Sequence, residues 1–433
     1  MHSSIAPIYF FILKIYLSER NLNHYLKMRK IFLLISAALV WSCNSTKEQD
    51  TEAALRAKAD SLAHRYIIVD GHVDLPYMLK EEHVTFSEAT KDTLLHTTMG
   101  EFDYERAKKG GLDAPFMSIY IPVEDQLPPD YGRSLADSLI ATVNDIIRIL
   151  PDQYAAALTP ADVKKNFSEG KISLPMGMEN GAPIGKDLSG VKYYYDKGIR
   201  YITLTHNKDN QICDASSDNS HTWNGLSPFG KQVVGEMNKL GIMVDISHVD
   251  DSTFYQVMVL SKAPCIASHS SARSFSPLVK RDMTDDMIRR IKDNGGVIMV
   301  NYYPTFLDST AKSNSVKLSQ LLESKGLKES DTAAAAVIRA FNAEHPNPTN
   351  AETVANHIDH IVKLAGIDHV GLGSDYDGTG GNLPVGLEDV STYPSLIYVL
   401  LKRGYTESDI EKICSGNLLR VWDAVIATSQ KLQ

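Results

Sequence analysis

Four histidines each follow a short apolar run of the sequence: His72, His206, His248 and His269. Three carboxylates hold equivalent positions: Asp74, Glu179 and Asp375. Asp74 is two residues beyond His72, so in an extended segment both side chains point to the same side. A carboxylate at the end of an apolar strand is costly to desolvate unless it is paired or bound to a cation. The set therefore indicates a metal site.

The ligand types narrow the choice of metal. Imidazole and carboxylate without thiolate suit Zn²⁺ in an open catalytic site, with Mn²⁺ or Fe²⁺ as alternatives. Four or five ligands and a bridging carboxylate fit two ions, and a pair of ions can clamp a hydroxide and the substrate oxygens. Six of the other histidines lie in polar segments and are interpreted as solvated surface: His64, His83, His96, His345, His357 and His360.

The cysteines after residue 43 add nothing to this site. Cys213, Cys265 and Cys414 are an odd number without paired spacing. They therefore offer neither a disulfide framework nor a CxxC metal knuckle. We interpret all three as structural residues.

Eight short apolar runs rich in β-branched residues could position the candidate ligands. Runs that are apolar throughout are typical of parallel strands buried on both faces. They cover residues 66–70, 115–120, 172–178, 201–205, 242–247, 264–268, 297–302 and 369–374. Helical patterns occur at 230–240, 284–293, 351–365 and 406–424. Eight βα units predict an α/β fold, a (β/α)8 TIM-type barrel, whose catalytic groups meet at the C-terminal strand ends.

One connection in this pattern is longer than the others. Residues 304–350 separate the seventh and eighth predicted strands, and residues 321–343 within them have a helical pattern. We expect an insertion that crosses one face of the barrel. The whole catalytic domain is predicted as a single barrel over residues 56–428.

The composition is that of a globular protein, with 43% hydrophobic and 22% charged residues among 433. Its formal net charge is −9. A nucleic-acid binder neutralises phosphates with basic residues, so this charge excludes nucleic acid as a partner.

The N-terminal segment has the features of an export signal. A basic stretch at 28–30 precedes an apolar run at 31–41, and Ser42 then precedes Cys43. The run is too short to span a bilayer as a helix, and the cysteine stands where a bacterial lipoprotein signal peptide places its lipidated residue. We predict an over-extended start plus signal peptide at 1–43, lipidation of Cys43 and a polar tether at 44–55. An uncleaved N-terminal anchor is the alternative.

Both interpretations of the N-terminus put the protein outside the cytoplasm. We expect a lipid-anchored bacterial lipoprotein of the cell envelope, facing the periplasm or the exterior. Several acyl chains on Cys43 would hold it firmly to the membrane, whereas a single chain would hold it only marginally.

Six motifs follow one another along the chain. They are Asp-Gly-His-Val-Asp-Leu-Pro at 70–76, Leu-Thr-His-Asn at 204–207, Val-Asp-Ile-Ser-His-Val at 244–249, Ser-His-Ser-Ser-Ala-Arg at 268–273, Gly-Ser-Asp-Tyr-Asp-Gly at 373–378 and Asn-Leu-Leu-Arg-Val at 417–421. Each motif is weak alone, but the ordered set resembles the membrane (renal) dipeptidase family of zinc peptidases. The resemblance runs from about Tyr66 to Trp422.

This resemblance implies a barrel of the metal-dependent hydrolase type, its metal ligands and the reaction. His72 and Asp74 would bind a first zinc, His248 and His269 a second, and Glu179 would bridge the two. A bridging hydroxide, with its pKa lowered by both cations, would attack the peptide carbonyl of a free dipeptide.

The resemblance also implies two catalytic side chains that are not ligands. His206 is similar to the family's histidine that polarises the carbonyl and stabilises the tetrahedral oxyanion. Asp375 matches an aspartate that would pass the proton to the leaving nitrogen and meet the substrate's free amine. Both would therefore also contact the substrate.

An arginine in the family holds the substrate's C-terminal carboxylate, a task suited to a guanidinium. Arg281 is the candidate here. Its spacing from the preceding motif differs by one residue from the expected one, so Lys280 and Arg273 remain alternatives. Tyr303 resembles a family substrate contact.

Two features depart from the mammalian members of the family. Lys208 lies where those enzymes have a cysteine near the strand-four histidine, and the tail at 427–433 has no apolar GPI signal. We therefore expect the anchor at the N-terminus, while the metal ligands stay unchanged.

Two other functions are alternatives to a dipeptidase. Another barrel amidohydrolase, such as a deaminase or lactonase, more often carries His-x-His after strand one or a bridging lysine, where this chain has Asp74 and Glu179. A lipid-anchored, non-catalytic binding protein on a degenerate barrel would usually lose a ligand first, and none is missing. The sequence leaves open the dipeptide preference, the tolerance of D-residues or β-lactams, and a homodimer.

Overall fold

The computed structural model describes residues 51–329 and 331–433. The predicted signal peptide, Cys43 and most of the predicted tether lie outside these residues. The chain divides into two compact units after Ala57, and the barrel lies within the second, Lys58–Gln433. In the part of the chain that the structure describes, no helix is long and apolar enough to cross a membrane.

Eight parallel strands close into a barrel, as the apolar runs predict. The strands of the chain are β1 (Ile68–Val73), β2 (Leu112–Tyr120), β3 (Tyr154–Ala156), β4 (Ile172–Leu174), β5 (Met176–Glu179), β6 (Ile199–Thr203), β7 (Met243–Asp245), β8 (Ile266–Ala267), β9 (Val297–Val300) and β10 (Val370–Leu372). The order around the barrel is β1-β10-β9-β8-β7-β6-β5-β2. This confirms the predicted (β/α)8 class.

The predicted run at 172–178 contains two strands and not one. Pro175 separates β4 from β5, and proline has no N–H to donate to a strand ladder. β4 pairs with β3 in a small parallel sheet outside the barrel, whereas β5 pairs with β2 and β6 within it. Because both halves of the run are apolar and buried, the sequence pattern could not show that they belong to different sheets.

Helices connect the strands and surround the barrel. They are α1 (Leu75–Glu81), α2 (Tyr104–Gly110), α3 (Arg133–Ile149), α4 (Pro160–Ser168), α5 (Ser189–Asp196), α6 (Pro228–Leu240), α7 (Asp251–Leu260), α8 (Asp285–Asn294), α9 (Pro304–Leu307), α10 (Ser309–Ser324), α11 (Ala334–Glu344), α12 (Ala351–Ala365), α13 (Tyr393–Lys402), α14 (Glu407–Glu411) and α15 (Asn417–Leu432). All four predicted helical patterns correspond to helices of the structure. Thr406 and Asp409 form the capping box at the start of α14 that their spacing indicates.

The insertion after β9 is helical, but residues 321–343 are not one helix. α10 ends at Ser324, and Gly326 follows with a φ of +66°, a conformation that glycine adopts at no steric cost. The next helix begins only at Ala334. The apolar pattern of the sequence continues through residues 325–333, so it could not show that a left-handed glycine ends the first helix there.

Three packed aromatic side chains connect the barrel core with the candidate ligand His72. The ring of Phe116 lies between Trp422 of α15 and Tyr201 of β6, with ring centroids 5.3 Å from each. All three side chains are fully buried. The Tyr201 hydroxyl is 2.8 Å from Nδ1 of His72, so the packing of the core fixes a candidate ligand directly.

Two sequence interpretations concern residues away from the strand ends. His357, interpreted as solvated surface, is fully buried on the inner face of α12, and that interpretation is wrong. A helix with an apolar stripe buries the polar residue that lies within the stripe, provided that hydrogen bonds are available to it. Within the described residues, the three cysteines are all buried and unpaired, in keeping with a structural role.

A buried carboxylate at the start of β2 predicts a pH dependence of stability. Asp113 accepts a hydrogen bond from the backbone N–H of Ile68 at 3.1 Å, and burial raises its pKa to about 7. The folded state therefore holds a proton that the unfolded chain releases, so this contribution to stability is full below about pH 4 and is lost as the pH rises to about 7. We expect Asp113→Asn to stabilise the protein at pH 8 by roughly 1–4 kcal/mol relative to wild type and to change little at pH 4.

Urea unfolding of both proteins at pH 4 and pH 8 measures this difference. Asp423→Asn, at an exposed position, is the control and should leave the midpoint unchanged at both values. An equal midpoint for Asp113→Asn and wild type at pH 8 would contradict the prediction.

Candidate active site

The strands deliver all seven candidate side chains to the C-terminal mouth of the barrel. A cavity of about 470 Å³ opens there, and Asp74, Glu179, His206, His248, His269 and Asp375 line it. His72 lies within β1 and is fully buried beneath these residues. Candidate ligands from distant motifs of the chain thus meet in one site, as the barrel predicts.

Glu179 occupies the centre of this group. Its Oε2 lies 3.4 Å from Nε2 of His72, and its Oε1 lies 3.0 Å from Nε2 of His248 and 3.4 Å from Nε2 of His269. The carboxylate thus faces one imidazole with one oxygen and two imidazoles with the other. This is the geometry of a bridging ligand between two sets of donors.

In each of the two sets, a second pair of potential ligand atoms lies close together. Nε2 of His72 lies 3.3 Å from Oδ2 of Asp74, while Nε2 of His248 and Nε2 of His269 are 2.9 Å apart. Ligand atoms from His72, Asp74 and Asp375 all lie within 4.8 Å of one another. Donor atoms this close, pointing at each other, could hold an ion between them.

The polar atoms of the site fit a cation. Among the residues that the structure describes, Nε2 of His72 and Oδ1 of Asp74 are buried and find no hydrogen-bond partner, a costly state unless another group binds them. Burial lowers the pKa of His248 and of His269 well below the usual value, so both rings are neutral and their lone pairs are available to a metal.

The charges of the site also favour a bound cation. Burial raises the pKa of Glu179, but the neighbouring His72 and His206 outweigh it and bring the value well below the usual range, so the carboxylate is ionised. At His72 burial lowers the pKa, yet Tyr201, Asp74 and Glu179 together raise it well above the usual value. The site therefore attracts positive charge, which a metal ion would supply.

Hydrogen bonds behind the ligands orient the rings. Nδ1 of His269 is 2.8 Å from the Ser268 hydroxyl, which donates to Asp245 at 2.6 Å. Together with the contact of Tyr201 to His72, this leaves Nε2 of each ring facing the centre of the site. Such outer contacts typically fix the orientation of a metal-binding histidine.

Two buried aspartates that the sequence analysis did not select hold the strand ends together. Asp245 accepts hydrogen bonds from the backbone N–H groups of Ser247 and Ser268, and Asp70 accepts them from those of His72 and Ser374. Both lie in apolar strand motifs. A charged residue inside a buried strand is rarely tolerated unless paired, and this signal could have found them.

His206 lies at the side of the site with an aromatic neighbour. Its Nε2 is 3.8 Å from Oε1 of Glu179, farther than the corresponding atoms of His248 and His269. The ring of Tyr120, at the end of β2, packs edge-on against it at 4.9 Å. Tyr120 lines the cavity, and the sequence analysis missed it because nothing in its motif distinguishes it from a core tyrosine.

Asp375 accepts a hydrogen bond from a residue beyond the neighbouring strand and packs closely against a glycine. Nδ2 of Asn301, beyond β9, donates to its Oδ2 at 2.9 Å, and burial raises the pKa of Asp375 to about 7. A Cβ on Gly378 would lie 2.6 Å from Oδ1 of Asp375 and 2.3 Å from Oδ2 of Asp74, so any larger residue there would displace these two carboxylates. Asp375 and His248 both have positive φ values, +68° and +67°, a strained conformation that is typical of functional sites.

Of the three candidates for carboxylate binding, Arg281 lies at the site. It is buried, its Nη1 donates to Ser270 Oγ at 2.5 Å and its Nη2 to the backbone oxygen of His269 at 2.7 Å. Both ends of the Arg273 guanidinium bond to Asp251, and Lys280 is exposed. Tyr303, the other predicted substrate contact, lines the cavity.

Comparison with known proteins identifies the family of the chain. Residues 56–433 match the family described as membrane dipeptidase (peptidase family M19). An uncharacterized dipeptidase of Schizosaccharomyces pombe is 31% identical over 410 residues, which cover 92% of this chain and 90% of that protein.

Solved structures share the fold. A probable dipeptidase from Pseudomonas aeruginosa superposes with a TM-score of 0.74 at 27% identity, covering 87% of this chain and 99% of the other. A metallopeptidase from Rhodobacter sphaeroides, liganded with a phosphinate mimic of the dipeptide L-Ala-D-Ala, has a TM-score of 0.68 at 24% identity, covering 83% and 99%. The chain belongs to the membrane dipeptidase family, peptidase family M19, and is a metal-dependent peptidase.

Proposed function

We propose that this protein is a dinuclear zinc dipeptidase that hydrolyses free dipeptides. The observation that carries the proposal is the position of Glu179, whose two oxygens face two different sets of donors. His72 and Asp74 with Oε2 of Glu179 would hold one ion, and His248 and His269 with Oε1 would hold the other. Two Zn²⁺ ions, when bound, lower the pKa of a water molecule and supply the nucleophile near neutral pH.

The remaining side chains act on the substrate itself. His206 would donate a hydrogen bond to the carbonyl oxygen of the peptide, where negative charge develops in the transition state. Asp375 would hold the substrate's ammonium group and carry a proton to the leaving nitrogen. Arg281 would bind the C-terminal carboxylate, with Tyr303 in contact with the substrate. Recognition of both termini by buried charges excludes longer peptides.

The proposal is tested by metal analysis beside a panel of substrates. We expect two zinc ions per chain, and hydrolysis of a free dipeptide but not of its N-acetyl derivative, its C-terminal amide or a tripeptide. Hydrolysis of the blocked compounds at equal rates would favour a different amidohydrolase. Binding of a dipeptide without turnover by the zinc-loaded protein would favour a non-catalytic binding protein.

Asp375→Asn separates proton transfer from metal binding. The variant keeps the shape of the side chain but removes the group that carries the proton, so we expect kcat to fall about 10²- to 10⁴-fold with the metal content unchanged. Metal analysis and the pH profile of kcat measure the two effects. Because Asp375 also lies within reach of His72 and Asp74, loss of one metal ion from the variant would show that it is a ligand instead.

We further propose that the protein is anchored to a cell-envelope membrane through lipidated Cys43. The support is the sequence of the basic and apolar stretches that end at this cysteine. Mass spectrometry of protein extracted from membranes should find Cys43 as a modified N-terminal residue. An unmodified peptide across Ser42 and Cys43 as the main species would contradict this proposal.

A further inference from the structure

The candidate carboxylate-binding residue lies on a loop that is fastened to a second segment. Residues 270–283, here called the Arg281 loop, connect β8 to α8, and residues 301–307 follow β9. Two hydrogen bonds run from the loop to this segment: Ser271 Oγ donates to the backbone oxygen of Asn301 at 3.3 Å and Ser276 Oγ to that of Thr305 at 3.2 Å. The segment supplies Tyr303 and Phe306 to the wall of the catalytic cavity.

His357 joins the same two parts of the chain from a third element, α12. Its Nδ1 accepts the backbone N–H of Ala272, in the Arg281 loop, at 3.0 Å. Its Nε2 lies 2.9 Å from the backbone oxygen of Leu307, at the end of the segment. A backbone N–H only donates and a carbonyl oxygen only accepts, so the ring must be the neutral tautomer with its proton on Nε2.

The surroundings of His357 hold this ring in place. The side chain is fully buried, and the ring of Phe275, also in the Arg281 loop, lies against it with the centroids 4.4 Å apart. Burial lowers the pKa of His357 to about 4, so the neutral form persists at physiological pH. The imidazole is therefore a rigid spacer with an acceptor on one side and a donor on the other.

The position of Arg281 depends on both parts that His357 connects. Its guanidinium donates to Ser270 and to the backbone of His269 at the start of the loop, and it lies over the ring of Phe306, 5.6 Å from the centroid. A shift of the loop relative to the segment would separate the guanidinium from this ring. It would also move Arg281 relative to Tyr303, which belongs to the same segment as Phe306.

We propose that His357 is a positioning residue for the carboxylate end of the substrate, which sets the register between the Arg281 loop and residues 301–307. The inference rests on the proposed function, in which Arg281 binds the dipeptide carboxylate. The two hydrogen bonds of His357 are to backbone atoms, one in the Arg281 loop and one at the end of residues 301–307. Its loss should therefore impair substrate binding more than turnover.

Two variants that each keep one of the two hydrogen bonds test the proposal. His357→Asn offers an acceptor near Nδ1 but no donor that reaches Leu307, and His357→Gln offers a donor near Nε2 but no fixed acceptor for Ala272. We expect either variant to raise KM for a dipeptide roughly 10- to 100-fold, with kcat within about threefold of wild type. The zinc content and far-UV circular dichroism should not change. Lys363→Gln, at an exposed position of the same helix α12, is the control and should leave KM unchanged.

A second comparison separates this inference from the proposed function. Wild type should prefer a dipeptide over its C-terminal amide, Arg281→Met should lose that preference, and the two His357 variants should lose a large part of it. If wild type hydrolyses no dipeptide, the proposed function fails. If wild type and Arg281→Met behave as expected but both His357 variants keep the preference and the KM of wild type, the positioning role is wrong. It is equally wrong if the variants lose metal and kcat together, as a merely structural residue would.

Discussion

Glu179→Ala is expected to lose both metal ions and practically all turnover together. Its two oxygens face the donor set of His72 and that of His248 and His269, so the substitution removes one ligand from each proposed ion. It also removes the negative charge that favours cations among several buried imidazoles. We expect kcat/KM to fall by more than about 10³-fold, because the nucleophile and the stabilisation of charge by the metal are lost at the same step.

Glu81→Gln is a matched control for this variant. Glu81 is a carboxylate that lines the same cavity, but its side chain is 58% exposed and lies outside the group of donors around Glu179. Metal content and activity should stay close to those of wild type. Measurement of both variants by metal analysis and dipeptide hydrolysis checks the prediction, and two firmly bound ions in Glu179→Ala would show that it is no bridge.

His206→Ala is expected to keep both metals and to lose about 10²- to 10³-fold in kcat, the usual cost of one oxyanion donor. The effect falls on kcat because the charge that His206 meets appears only in the transition state. The structure places His206 in the cavity, with Nε2 3.8 Å from Oε1 of Glu179, so it is near the ligands but farther from Glu179 than His248 and His269 are.

His206→Gln distinguishes a hydrogen-bond donor from a metal ligand at this position. Glutamine keeps an N–H group but is a poor ligand for zinc, so a donor role predicts higher kcat for His206→Gln than for His206→Ala at equal metal content. If both variants lose one metal ion in step with activity, His206 is a ligand. Activity equal to that of wild type in His206→Ala would show that the residue is idle.

The barrel and the strand-end positions could be read from the sequence because they depend on local pattern. A strand buried on both faces must be apolar throughout, so eight such runs were visible without knowledge of their neighbours. The closure of a barrel then brings the C-terminal strand ends together, and His72, Glu179, His248 and His269 meet there as expected. The pattern predicted one strand at 172–178 where the structure has two. The residues on both sides of Pro175 are apolar, so the pattern could not show that they belong to different sheets.

Contacts that depend on relative placement of distant segments were not visible in the sequence. Tyr120 meets His206 although β5 lies between β2 and β6 in the barrel, and Asn301 meets Asp375 because β9 and β10 are neighbours. His357 showed no signal at all. A single histidine in an amphipathic helix has the same pattern whether it faces water or a buried loop.

The sequence alone therefore determined which candidate side chains lie at strand ends and that a parallel barrel must gather them. This was possible because a buried strand must consist of apolar residues, and a carboxylate at its end is conspicuous since it is costly to bury there without a partner. Only the tertiary structure decided which oxygen of Glu179 faces which histidines, and which of Arg273, Lys280 and Arg281 is bonded to the backbone of His269. Those outcomes depend on differences of a few ångströms between segments far apart in the chain, and no local pattern of residues records such distances.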